Sequence, residues 1–162
     1  MLFRIESSYN NNNTTAIILS GGFVTLINII FGEKGTGKTK QLLNGANNAV
    51  SVAKGNIIFI DLDNSYMYDL DTSIRFVNIN EYGIDSLRSL YGFLCGLAAS
   101  DFDLEYVYID RFCKIVANMG ADLEPFFKSL AAFTDKRGIT VNLTFSGDPA
   151  AIPDFMRAYI AG

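Results

Sequence analysis

The sequence predicts an α/β domain of three layers, with a mostly parallel sheet of five strands or slightly more between helices. Short apolar segments alternate with segments of helical periodicity along most of the chain, the pattern of parallel strands joined by crossover helices. The strand-like segments are apolar at successive positions, as expected of strands covered on both faces. A glycine-rich turn, Gly32 to Thr39, stands at the first junction of strand and helix.

Taken in order, residues 1–22 read as an N-terminal extension or short hairpin packed on a single domain of residues 23–162. Ala16 to Leu19 is a candidate strand between a polar loop at Asn10 to Asn13 and a turn at Ser20-Gly21-Gly22. Phe23 to Phe31 reads as the first main strand. Lys38 to about Lys54 carries Leu42, Leu43, Ala46, Ala49, Val50 and Ala53 on one helical face, with Gly45 beside it and Gly55 at its close. Asn56 to Leu62 is the second strand, and Arg75 to Ile79 a short third. A helix follows from Ile84, with Asp85 as its expected cap. Glu105 to Ile109 is the fourth strand. Asp122 opens the next helix, with Pro125 in its first turn and Lys136-Arg137-Gly138 as its stop. Ile139 to Phe145 is the fifth strand, Ser146 to Pro149 a turn, and Asp154 to Ile160 a short final helix.

The 162 residues suffice for one domain with a sizeable core. Apolar residues make up 49% of the chain and the mean hydropathy is +0.22. No apolar run reaches the roughly 20 residues that cross a bilayer, and Met1 to Tyr9 has no signal-peptide core, so a cytoplasmic protein without membrane insertion is expected. Cys95 and Cys113 lie in apolar segments and read as buried thiols of a reducing compartment. A net charge of −4 and a pI near 4.7 argue against a nucleic-acid partner. The chain has no histidine, which excludes Ser-His and Cys-His nucleophile systems and histidine-ligated metals.

Gly32-Glu33-Lys34-Gly35-Thr36-Gly37-Lys38-Thr39 fits the pattern of glycine, four free positions, glycine, lysine and a hydroxyl residue. A tight turn from strand into helix aims successive amides at a common point and makes an anion site at the helix N-terminus. Gly35 and Gly37 allow backbone angles that a side chain disfavours. Lys38 is expected to neutralise the β- and γ-phosphates of a nucleotide, and the Thr39 hydroxyl to sit on the magnesium ion between them. With Lys40, the next residue of the helix, these positions form the expected nucleotide-binding set, and ATP with Mg2+ is the expected ligand.

Ligands of such sheets lie beyond the carboxyl ends of the strands. Asp110, after Tyr106 to Ile109, is expected to hold a water on the metal, and the Thr39 hydroxyl with it. Asp61 and Asp63 close the second strand. Asp63 is the candidate catalytic carboxylate toward the attacking water, and Asp61 either joins the metal shell or caps the strand. Lys34, Arg111 and Arg157 are equal candidates for an activating cation, which a neighbouring subunit would also be able to supply. Ser146 reads as a turn residue or a γ-phosphate sensor.

On these residues the chain resembles the RecA-like branch of P-loop NTPases. Its Walker A segment Gly32 to Thr39 is similar to those of RecA, RadA and KaiC proteins. Phe59-Ile60-Asp61-Leu62-Asp63 resembles the segment in which RecA proteins place their catalytic glutamate, at the position of Asp63. Tyr106 to Asp110 resembles a Walker B strand, and Ile139 to Ser146 a sensor strand. The resemblance implies a RecA-like P-loop fold and a hydrolase of ATP. The stretch after the fifth strand is too short for the DNA-binding loop of a recombinase. Asp61-Leu62-Asp63 also resembles the paired-aspartate motif of MinD and ParA ATPases. Their extra lysine stands at the second loop position, which is Glu33 here, with Lys34 one place later.

Three readings follow. The first is a slow Mg-ATPase that uses nucleotide state to act on a protein partner or on a second copy of itself. The second is a nucleotide-dependent binding module, in which ATP orders the polar loop Asn64 to Thr72. The third is a small-molecule kinase, for which an arginine-rich lid is missing.

Overall fold

The computed structural model of the chain describes residues 6–9, 15–19 and 23–160, with side chains from residue 26 onward. β1 (Glu6–Tyr9), β2 (Thr15–Leu19) and β3 (Phe23–Thr25) form a small antiparallel sheet in that order. The main sheet consists of β4 (Ile27–Gly32), β5 (Asn56–Asp61), β6 (Arg75–Asn78), β7 (Leu104–Ile109) and β8 (Thr140–Ser146). Its strands run parallel in the order β4-β8-β7-β5-β6. The predicted α/β class and parallel five-stranded sheet are therefore present.

The run Phe23 to Phe31, expected as one strand, is divided at Leu26. β3 pairs with β2 in the small sheet, whereas the Leu26 carbonyl already accepts from the Val141 amide (2.7 Å) and brings the chain into the parallel sheet. The polar tract Asn10 to Asn13 and the turn Ser20-Gly21-Gly22 lie outside the described residues.

Alternate residues of each buried strand supply two separate cores, as a period of two requires. On one face Ile57, Phe59, Tyr106 and Tyr108 pack with Leu42, Leu43 and Ala46 of α1 (Lys38–Ala49), and with Leu70 and Ile74 from the connection to β6. On the other, Ile58, Ile60, Val107, Ile109, Val141 and Leu143 meet α2 (Leu87–Ser100) and α4 (Leu123–Arg137). This arrangement gives the three layers. The chain after β8 forms a 3-10 turn at Asp154–Tyr159, and Ile160 then bridges Ile29 in parallel on β4. The edge strand that carries the glycine loop is thus covered rather than open.

α1 stops at Ala49, short of the expected Lys54, and turns continue to Val52. Gly55 is required where it stands, because a Cβ there would collide with the Asp103 carbonyl. Asp85 is not the cap of α2. Ser86 is, its hydroxyl accepting from the Ser89 amide (3.2 Å) while Ser89 Oγ accepts from the Ser86 amide (3.1 Å). Gly138 ends α4 at φ 67°, donating to the Thr134 carbonyl (2.8 Å).

Candidate functional site

The glycine loop leaves β4 at Gly32 and enters α1 at Lys38. Gly35 and Gly37 adopt φ of 83° and 84°, in the region that favours glycine. Gly32 is needed for a different reason: a Cβ on it would stand 2.9 Å from Thr36 Oγ1. That hydroxyl donates to the Glu33 carbonyl (2.8 Å), as does the Lys38 ammonium (2.6 Å). Lys38 is nearly buried, and this bond takes one of its three donors, leaving two for an anion. The amides of the first turn of α1 have no partner inside the helix, as at any helix start.

Asp110, at the end of β7, is buried and accepts two hydroxyl donors. Thr39 Oγ1 donates to Oδ2 (2.7 Å) and Thr144 Oγ1 to Oδ1 (2.6 Å). The strand order makes this possible: β8 lies between β4 and β7, so Thr144 stands beside Asp110. Thr144 Oγ1 also accepts from the Arg111 amide (2.9 Å).

Arg111 has φ 54°, the one positive φ of a non-glycine residue among those described. Both neighbours are immobilised. Asp110 is held by its two hydroxyls, and Phe112, the first residue of α3 (Phe112–Ile115), is fully buried between the rings of Phe126, Phe127 and Phe145. Burial of such a ring contributes about 1.5–3 kcal/mol, enough to outweigh the roughly 1–2 kcal/mol of a left-handed residue.

The Arg111 guanidinium bridges the two acids of β5 and the following turn: Nε donates to Asp61 Oδ1 (2.6 Å), and a terminal nitrogen donates to Asp63 Oδ2 (2.9 Å). Asp61 is fully buried, and burial pushes its carboxyl above the usual value against the pull of Arg111. Asp63 is half exposed. The hydrogen bond from Arg111, then that from Ser65, hold its carboxyl well below the usual range. Burial opposes ionisation of Arg111, but its bonds to the two carboxylates prevail and raise it. Asp61 Oδ2 and the other terminal nitrogen of Arg111 are buried without a partner.

A cavity of about 280 Å³ opens at the carboxyl ends of β4, β7 and β8. Lys34, Lys38, Thr39, Asp110, Arg111 and Thr144 all line it, with Gly35 and Gly37. The structure thus brings together Lys38, Thr39 and Asp110 as the sequence led one to expect. Asp63 is not among the lining residues and reaches the cavity only through Arg111. Lys40, at the third helical position, does not line it either. Of the three candidate cations, Lys34 and Arg111 face the cavity, whereas Arg157 pairs with Asp154 (3.3 Å) on the exposed C-terminal turn. Ser146 lines the cavity at the tip of β8.

Sequence reasoning missed Thr144, although a signal was present: Asn142 and Thr144 alternate with Val141, Leu143 and Phe145 in a strand otherwise apolar. It also read Cys113 as a buried core thiol. The thiol is half-buried and lines the cavity, its Sγ donating to the Ser146 carbonyl (3.6 Å). Burial raises its pKa, with Lys38 among the opposing influences.

The donors suit a hydrated magnesium ion. The Thr39 hydroxyl spends its single proton on Asp110, which leaves its oxygen lone pairs as a hard ligand. Asp110, with both oxygens accepting hydroxyls, is placed to accept from a metal-bound water. No cluster of three or more histidine, cysteine or acidic residues placed to ligate a metal occurs among the described residues, so water and a polyanion would have to complete the shell.

No helix among the described residues is long and apolar enough to cross a membrane. Comparison of the chain with protein-family models and with curated protein sequences gives no match.

Proposed function

We propose that the chain is a P-loop protein that binds Mg-ATP at Gly32 to Lys40 and hydrolyses it slowly, its nucleotide state acting on a protein partner or a second copy. The observation that carries this reading is the 2.7 Å hydrogen bond from Thr39 to Asp110, which joins the glycine loop to a second strand across 71 residues. A glycine-rich turn with a purely structural role has no need of a buried carboxylate facing the first hydroxyl of its helix. In this reading Lys38 and the loop amides hold the phosphates. Thr39 and Asp110 hold the magnesium ion, which neutralises charge developing on the phosphate oxygens.

Asp63 is the carboxylate nearest the role of orienting the attacking water. As long as Arg111 holds it, Asp63 stands outside the cavity lining with its pKa kept low, a weak proton acceptor, and its contribution would be orientation rather than abstraction. That tie to Arg111 is one support for slow turnover. It is also the observation that favours the second reading, a binding module with negligible hydrolysis. Against it, part of the loop that ATP would order is already anchored by the chain itself: Asn47 on α1 donates to the Asp69 carbonyl (2.9 Å) and accepts from the Asp71 amide (2.8 Å). The RecA-like assignment is supported by Asp61 and Asp63 closing the strand beside the Asp110 strand. The MinD- and ParA-like alternative is supported by Lys34 facing the cavity.

Phosphate release from ATP with magnesium, measured on the wild type, Lys38→Ala and Asp63→Asn, tests the proposal. Slow release by the wild type that is lost in Lys38→Ala is expected. Equal release by the wild type and Lys38→Ala would refute it. Nucleotide binding without release, unchanged by Asp63→Asn, would favour the binding module.

A further inference from the structure

Arg111 belongs to two structures at once. It is among the residues that line the cavity, and its guanidinium ties together Asp61 and Asp63. Through Asp63 it reaches the connection between β5 and β6, because Asp63 Oδ1 accepts from the Ser65 amide (2.9 Å). Two features show that this arrangement is held in place rather than incidental. The backbone of Arg111 is left-handed, between an aspartate fixed by two hydroxyls and a fully buried phenylalanine. One of its terminal nitrogens is buried without an acceptor, a costly condition for a charged donor.

The two ties differ in strength. Asp61 is fully buried and meets Nε at 2.6 Å, whereas Asp63 is half exposed and meets a terminal nitrogen at 2.9 Å. A phosphate can accept from a guanidinium through two oxygens, whereas the half-exposed Asp63 accepts a single bond from it. The Asp63 bond is the one that a phosphate in the cavity would displace, with the Asp61 bond as the pivot.

We propose that Arg111 is a positioning residue coupling the cavity to the β5–β6 connection: it restrains Asp63, and the terminal phosphate of a nucleoside triphosphate competes with Asp63 for its guanidinium. This inference rests on the nucleotide reading above and deepens it. A diphosphate, lacking that group, leaves Asp63 tied. Loss of the tie frees the Asp63 carboxylate and loosens the turn at Ser65, so the triphosphate is reported to the segment 62–74. Lysine in place of Arg111 is a single point donor and does not serve both carboxylates.

The test compares the affinities of a non-hydrolysable ATP analogue and of ADP, each with magnesium, by titration calorimetry on the full chain. The proteins are the wild type, Lys38→Ala, Asp63→Asn, Arg111→Gln and Arg111→Lys. Hydrogen exchange of the Ser65 amide is followed in parallel. With the charge of its competitor removed, Asp63→Asn binds the triphosphate analogue more tightly relative to ADP, by a factor of a few. Arg111→Gln and Arg111→Lys lose preference for the triphosphate, and in the wild type the Ser65 amide exchanges faster with the analogue than with ADP. Asp63 is half exposed, so Asp63→Asn retains the fold even where an Arg111 variant does not. Lys38-dependent binding with an unchanged affinity ratio in Asp63→Asn, or equal Ser65 exchange with both ligands, overturns the coupling and leaves the nucleotide reading intact. Absence of binding to the wild type overturns both.

Discussion

Thr144 is the residue on which the geometry of the site depends most and which takes no part in the proposed phosphate contacts. Replacing it with valine keeps the shape and removes one oxygen. That oxygen donates to Asp110 Oδ1 at 2.6 Å and accepts from the Arg111 amide at 2.9 Å, and the residue is 3% exposed. A hydrogen bond to a charged group is worth about 1.5–3 kcal/mol, and a buried amide left open costs about 1–3 kcal/mol. The extra methyl returns about 0.8 kcal/mol. The net loss expected is about 2–5 kcal/mol, a large part of the stability of an ordinary domain. In urea, with a slope of about 2 kcal/mol/M, the midpoint falls by roughly 1–2.5 M. Thr134→Val is the control. Thr134 is just as buried, but its hydroxyl bonds only the Ala131 carbonyl of its own helix (3.0 Å), so a change within about 1 kcal/mol is expected. A midpoint for Thr144→Val no lower than that for Thr134→Val would show that the hydroxyl does not hold Asp110 and Arg111 in place.

Three further outcomes are expected. Gly45 lies over Tyr108, whose hydroxyl donates to the Gly45 carbonyl, and a Cβ there would stand at an ordinary 3.7 Å from that ring. Gly45→Ala should therefore stabilise the protein in urea by roughly 0.5–1 kcal/mol through helix propensity, and a loss would mean that the helix needs the glycine for approach. Gly37→Ala meets no atom, so its penalty is the left-handed backbone alone, about 1–2 kcal/mol. Gly37→Asn, which tolerates that region better, should recover part of the loss. The folded-state pKa of Asp63 lies below the ordinary 3.8 and that of Asp61 above it. The contribution of Asp63 is thus full above about pH 4 and fades as pH falls through its lowered value. That of Asp61 has the opposite sign, being lost as pH rises from about 4 through its raised value. Urea midpoints from about pH 3 to pH 7 should show the difference between wild type and Asp63→Asn narrowing on the acid side. A difference independent of pH would remove the Arg111 tie.

The features legible in the sequence are those that follow from local chemistry. The glycine loop is one, since positive φ at Gly35 and Gly37 and a lysine at the helix start are written in adjacent residues. Asp110 is another, because an acid closing an apolar run is placed by the strand itself. The Gly138 stop follows in the same way. What depends on the order of strands was not legible. Thr144 matters because β8 lies between β4 and β7, and nothing in residues 139 to 146 states which strand will be their neighbour. Arg111 was one of three equal cations, because its tie to Asp61 and Asp63 spans some fifty residues and depends on the packing of Phe112. The break at Leu26 carries no glycine or proline, so a largely apolar run conceals a change of sheet. At α2, Ser86 rather than Asp85 caps because Ser89 reciprocates, a box without the usual glutamate or glutamine.

The central claim is that the loop Gly32 to Thr39 holds the phosphates of a nucleotide through its amides and Lys38. Thermal unfolding of the wild type and Lys38→Ala, each with and without Mg-ATP, tests it most directly. A ligand at about a hundred times its dissociation constant adds about 2.7 kcal/mol, which raises the midpoint of a domain of this size by roughly 5–10 °C. That rise is expected in the wild type and should be absent or much smaller in Lys38→Ala. A wild type unmoved by ATP, GTP and ADP, or a Lys38→Ala variant that shifts as far as the wild type, would contradict it.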